Sequence, residues 1–330
     1  MGDNLRVGMS KAPVPLALRA GGPFNGRMKP QRPRKPEGPR TFAKKPLAGK
    51  SPSAAKPGLR PRDAARPPRP LTAPRPTPTT DWSGVAEWYD RLVGDEGSEY
   101  HQKVVFPGVV RMLQVQPGDR VLDVACGQGA LCRLLEAKGA AVTGIDAARP
   151  LIDVARERGP QTISYSVGDA RELERMPGIA SGAFASGACV LAIQNIHPIA
   201  PVFTGVARAL RPMGRFVLAM MHPCFRGPKE TAWGWDEQGG GIQFRRVDRY
   251  LIPRKTPIVT HPGSAPNVYT WTFHKPLEAY VRALRGAGLL IDAIEEWPSH
   301  KTSQPGPRAA AENQARDEIP MFMAIRAVKV

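Results

Sequence analysis

Three aspartates define the chemistry open to this chain. Asp123 lies near the end of the apolar run in VLDVACGQGA, four residues before the first glycine of a Gly-x-Gly turn; Asp146 ends VTGID, and Asp169 follows the run in SVGD. Open parallel sheets hold their ligands at the carboxyl ends of the strands, so acids placed there face a ligand. A carboxylate before the glycine turn accepts hydrogen bonds from an ammonium group. One after the second strand takes both hydroxyls of a ribose, and one after the third accepts from an adenine amino group. A dinucleotide fingerprint wants a third glycine at position 132, where this chain has Cys132, and calls for no acid before the turn. The pattern predicts a nucleoside ligand that carries an ammonium, unlike NAD. Two of the acids also have a plainer use, Asp146 capping the helix around ARPLIDVA and Asp169 capping ARELERM.

The elements that would position these acids alternate from Asp81 onward. DRVLDVA, AAVTGID, TISYSVGD, AFASGACVLAI and RFVLAMM read as strands. Between them GALCRLLEAKG, RPLIDVARERG, ARELERM and PVFTGVARALRPMG read as helices, with Pro150 in a first turn and Gly139 and Gly159 at helix ends. Five strands separated by helices imply a parallel sheet covered on both faces. A further helix, KPLEAYVRALRGAG, and two strands, LLIDAIEEW and PMFMAIRAVKV, close the chain.

The 330 residues carry a formal charge of +18, but residues 1–80 hold 18 Lys and Arg against 3 Asp and Glu, together with 17 of the 36 prolines. Such a stretch buries too little apolar surface to offset its ordering entropy, and it reads as a disordered basic tail able to attract polyanions weakly. Residues 81–330 are close to neutral and form the folded domain. Cys126, Cys132, Cys189 and Cys224 show no metal-ligand spacing, no run of 18 apolar residues suggests a membrane span, and the N-terminus lacks a secretory pattern. A reduced, cytoplasmic protein is the expectation.

As a set, these motifs resemble the class I S-adenosylmethionine-dependent methyltransferases of the small-molecule type grouped with ubiquinone and menaquinone biosynthesis enzymes. The resemblance runs from WSGVAEWYDRLV at residue 82 through VLDVACGQG, GIDAARPLIDVAR, GDARELE and LRPMGRFVLA, and departs at Ala185, where an Asp commonly follows the Phe. It implies a Rossmann-like seven-stranded, mostly parallel sheet with an antiparallel last strand and helices on both faces. It also implies S-adenosylmethionine as cofactor: Asp123, Ala125, Gly127 and Gly129 against the methionine part, Asp146 and Ala147 at the ribose, Asp169 and Ala170 at the adenine, and Tyr89 closing the site. Tyr100 and His101 are either part of that closure or simple packing.

On the substrate side, QNIHP after the fourth strand offers Gln194 to the cofactor, with Asn195 and His197 beside the methyl group. Residues 222–268 are expected to form a lid, with Phe225, Trp233 and Trp235 excluding water or packing as a small core under a loop. His222 is the first candidate for a general base and His197 the second. The expected activity is methyl transfer to a small-molecule acceptor. A nucleic-acid methyltransferase tethered by the tail and a non-catalytic cofactor-binding protein are the alternatives, the former disfavoured by the lack of an NPPY-like segment.

Overall fold

The computed structural model describes residues 82–261 and 265–330; the disordered tail expected over 1–80 lies outside them. Seven strands make the central sheet: β1 (Arg120–Val124), β2 (Ala141–Asp146), β3 (Ser164–Val167), β4 (Phe184–Val190), β5 (Leu210–Met221), β10 (Leu289–Trp297) and β11 (Phe322–Lys329). Their order is β10-β11-β5-β4-β1-β2-β3. β1 to β5 pair in parallel, and β11 runs antiparallel between β5 and β10, as the resemblance implies. Two hairpins stand outside this sheet, β6 (Thr231–Asp236) with β7 (Ile242–Val247) and β8 (Arg254–His261) with β9 (Ala265–His274).

Both faces of the sheet are buried, because alternate residues of a strand point to opposite sides. Leu122 and Val124 of β1 and Phe216, Leu218 and Met220 of β5 enter a core with Phe203 and Val206 of helix Ala200–Ala209 and Tyr280 of helix Leu277–Gly286. Val121 of β1 and Val217 and Ala219 of β5 enter the opposite core. There they meet Val109 of helix Phe106–Leu113, Leu131 and Leu135 of helix Ala130–Glu136, and Ile152 of helix Arg149–Arg158. This alternation sends Asp123, two residues after Val121, toward the helix that starts at Ala130.

Three local departures from the sequence reading have simple causes. The helix expected through RPMG stops at Ala209, since Pro212 has no N–H to continue it, and Leu210–Gly214 instead form an irregular start to β5 with Met213 at φ 62°. Helix Ala309–Glu318 was not anticipated; it buries Ala315 alone and so carries little periodicity. The segment after β5, read from sequence as a lid without strands of its own, contains two hairpins. Among the described residues no helix is long and apolar enough to cross a membrane.

Candidate active site

The turn after β1 reverses direction through three left-handed residues at alternate positions, Ala125 at φ 59°, Gly127 at φ 57° and Gly129 at φ 81°. Glycine takes this conformation without penalty, whereas Ala125 holds it against steric cost because its surroundings fix it. A Cβ on Gly129 would sit 2.4 Å from the Tyr165 hydroxyl oxygen, and one on Gly127 3.3 Å from the Tyr89 ring. The backbone at this turn therefore approaches its neighbours more closely than a side chain permits.

Asp146, at the end of β2, ties this turn to the next. Gly127 N–H donates to its Oδ2 at 2.9 Å, and Ala148 N–H donates to its Oδ1 at 2.8 Å. The carboxylate thus lies between two backbone donors at the floor of a cleft of about 310 Å³. Tyr89 and Trp82, packed edge to face at 5.3 Å, wall one side, and Asn195 and Ile196 wall the other. Ala125, Gly127, Ala147, Asp169 and Ala170 complete the lining.

Residues 122–218 match the model of a methyltransferase domain, from the middle of β1 to the end of the apolar part of β5. The chain is 34% identical over 159 residues to a demethylmenaquinone methyltransferase of Tropheryma whipplei, covering 47% of this chain and 59% of that protein. It is 32% identical over 108 residues to a ubiquinone biosynthesis O-methyltransferase of Xanthomonas oryzae pv. oryzae, covering 32% of this chain and 44% of that one. It therefore spans about half the length of these curated relatives. The crystal structure of an S-adenosylmethionine-dependent methyltransferase from Mesorhizobium loti superposes with a TM-score of 0.53 at 27% identity, over 68% of this chain and 96% of that one. Residues 122–218 thus carry a methyltransferase domain, and the chain shares the fold of S-adenosylmethionine-dependent methyltransferases.

Within this domain, Asp123 lies deeper than the other two acids. It is 2% exposed, accepts a hydrogen bond from the Cys132 thiol at 3.2 Å, and borders a small cavity next to the cleft with Tyr89, Ala125 and Gln128. Burial pushes its carboxyl up to about 7, over the opposing pull of the Cys132 hydrogen bond. Asp169 caps the short helix Ala170–Arg175 through Arg171 N–H at 2.8 Å, and the Arg171 guanidinium grips the same carboxylate at 2.5 Å, which holds it below the usual carboxylate range. The plain capping use is thus present, and Arg171 also donates to the His197 carbonyl at 3.0 Å, across the cleft rim.

Two sequence assignments need correction. Gln194 is not turned to the cofactor cleft: its side chain donates to Met221 O at 3.1 Å and accepts from Met221 N–H at 3.0 Å, clasping the end of β5. His222 is not available as a base. It is 1% exposed; its Nδ1 accepts from the backbone N–H groups of Cys224 and Phe225, so its proton sits on Nε2 and is donated to Glu296 at 2.6 Å. His197 is exposed and stacks on Phe273, with ring centroids 5.1 Å apart and planes 22° apart. Tyr100 and His101 turn to packing: Tyr100 meets His300 and Phe322 edge-on, and His101 packs on Phe106.

The aromatics expected over the cleft lie elsewhere. Phe225 packs on His222, Trp233 lies against the guanidiniums of Arg226 and Arg245, and Trp235 lies under Arg308. The β6–β7 hairpin packs toward helix Ala309–Glu318, whereas β9 packs against residues 83–85 and 193–195, next to the two walls of the cleft. Trp271 and Phe273 of β9 escaped the sequence reading, although the alternation in VYTWTFH is a strand signal that carries aromatics to one face.

Proposed function

We propose that this chain transfers a methyl group from S-adenosylmethionine to a small-molecule acceptor, and that residues 81–330 are the domain that does so. The supporting observation is the Asp146 carboxylate, fixed at the cleft floor by the N–H groups of Gly127 and Ala148, because it sets an acid and a glycine turn in one rigid unit where a nucleoside has to lie.

The residues present fit the cofactor. Asp146 and Ala147 would hold the ribose, Ala170 and Asp169 the adenine, and Ala125, Gly127 and Gly129 the methionine part beside Asp123. A Cβ on Gly127 would crowd Tyr89, which lines the same cleft, so glycine there keeps the turn's backbone close to that wall. When bound, the cofactor supplies a methyl group activated by a sulfonium. The protein's part is to orient the acceptor, exclude water and match the ammonium with the buried Asp123 carboxylate. Tyr89 closes the cleft over the turn, and the β8–β9 hairpin covers the acceptor side. With His222 engaged internally, proton removal falls to His197, to the acceptor itself or to solvent, the last two suiting a nucleophile whose lone pair is free or already ionised.

The reading is tested by incubating the protein with methyl-labelled cofactor and a panel of phenols, amines and carboxylates. Label transfer to a member of the panel, lost in Asp146→Ala, is the expected result. Full transfer by Asp146→Ala would exclude this cleft as the site.

A further inference from the structure

The β8–β9 hairpin has two unlike faces. Lys255 pairs with Phe273 and Pro257 with Trp271, so these four share one face, while Thr256, Thr270, Thr272 and His274 are buried on the other. On the first face the Lys255 ammonium lies 3.9 Å from the Trp271 ring centroid, and Tyr269, 46% exposed, meets Trp271 edge-on at 5.1 Å. His197 extends this surface by stacking on Phe273. Its carbonyl accepts from Arg171, which with Ile196 lines the cofactor cleft. The aromatic face is therefore continuous with the cleft rim.

The face is also short of negative charge. Lys275 is 7% exposed; its ammonium donates to Ile196 O at 3.2 Å and lies 5.3 Å from the Phe273 centroid. Among the described residues neither Lys255 nor Lys275 has a carboxylate within 4.0 Å. The nearby carboxylate, Asp169, is taken by Arg171. Burying an ammonium without a counter-charge is costly, and burial lowers Lys275 to about 8. An incoming anion offsets that cost, and aromatic walls select a flat partner.

We propose that this face of β8–β9 binds the methyl acceptor, and that the acceptor is a flat aromatic anion. Its ring lies on Trp271 and Phe273, and its carboxylate, or another anionic group, meets Lys255 and Lys275. The assignment of this ligand as the acceptor rests on the methyltransferase reading; the binding itself does not.

The test compares 3-hydroxy-2-naphthoate with its neutral amide by calorimetry, with and without S-adenosylhomocysteine. The naphthoate is expected to bind at least ~10-fold more tightly than the amide, as a charge-assisted contact requires. Lys255→Gln and Trp271→Ala should each weaken naphthoate by ~10-fold while Lys255→Arg retains it, and none of the three should alter S-adenosylhomocysteine affinity. Equal affinity for acid and amide, binding of neither, or naphthoate binding unchanged in both Lys255→Gln and Trp271→Ala would overturn the inference. Failure of S-adenosylhomocysteine to bind the wild-type protein counts instead against the methyltransferase reading, and the naphthoate comparison still decides the anion site.

Discussion

Gly127 donates its backbone N–H to Asp146 Oδ2 at 2.9 Å, so the glycine turn after β1 and the acid after β2 are one mechanical unit. Removing the carboxylate should loosen the turn even with no ligand bound. In Asp146→Ala, amide exchange at Gly127 and Ala148 is expected to quicken, with a stability loss of about 1–3 kcal/mol from two orphaned donors. Hydrogen exchange read by NMR checks this. Protection unchanged at both amides would show that the turn is held by other contacts.

Asp123 should make both stability and cofactor affinity depend on pH. Its folded carboxyl is raised to about 7, above the ordinary value, so the folded chain holds this proton more tightly than the unfolded chain does. The group's contribution to stability is then full below the unfolded carboxylate range and is lost as pH rises through about 7. Cofactor affinity should run the other way, rising from about pH 6 to about pH 8 as the carboxylate that meets the ammonium ionises. Asp123→Asn is expected to flatten both profiles. Denaturation and calorimetry across that range check it.

His222 should matter for folding and little for turnover. The Glu296 carboxylate and two backbone N–H groups use both ring nitrogens, and burial keeps the imidazole below its ordinary range despite Glu296. His222→Ala is expected to cost about 1–3 kcal/mol of stability. The rate per folded molecule should stay within a few-fold of wild type. A rate loss of ~100-fold with stability unchanged would restore it as a base.

Gly129 carries a double constraint. Gly129→Ala places a Cβ 2.4 Å from the Tyr165 hydroxyl oxygen at a backbone φ of 81°. The variant should lose more than ~1 kcal/mol of stability, since both the contact and the left-handed backbone oppose it. Adding Tyr165→Phe should recover part of that loss, with the ring carbon 2.9 Å away and the left-handed backbone accounting for the rest. Thermal melts of the single and double variants measure the hydroxyl's share.

The sheet and the cofactor end were legible because periodicity carries them: apolar runs ending at Asp123, Asp146 and Asp169 mark strand ends, and the glycine spacing marks the turn. The substrate end was not. Gln194 and His222 have the right chemistry for a site, but their hydrogen-bonding groups are used by partners 27 and 74 positions away, which sequence order does not reveal. Trp233 and Trp235 stand in a glycine-rich stretch whose spacing gives no sign of the Arg226, Arg245 and Arg308 guanidiniums they pack on. Only strand pairing shows that Trp271 and Phe273 share a face with Lys255.

The most direct test of the account is a calorimetric titration of S-adenosylhomocysteine into the wild-type protein and into Asp146→Ala. The account predicts a single site in the wild type and affinity at least ~10-fold lower in the variant, the cost of losing charge-assisted hydrogen bonds to the ribose. No binding to the wild type at millimolar concentration, or equal binding to both proteins, would contradict it.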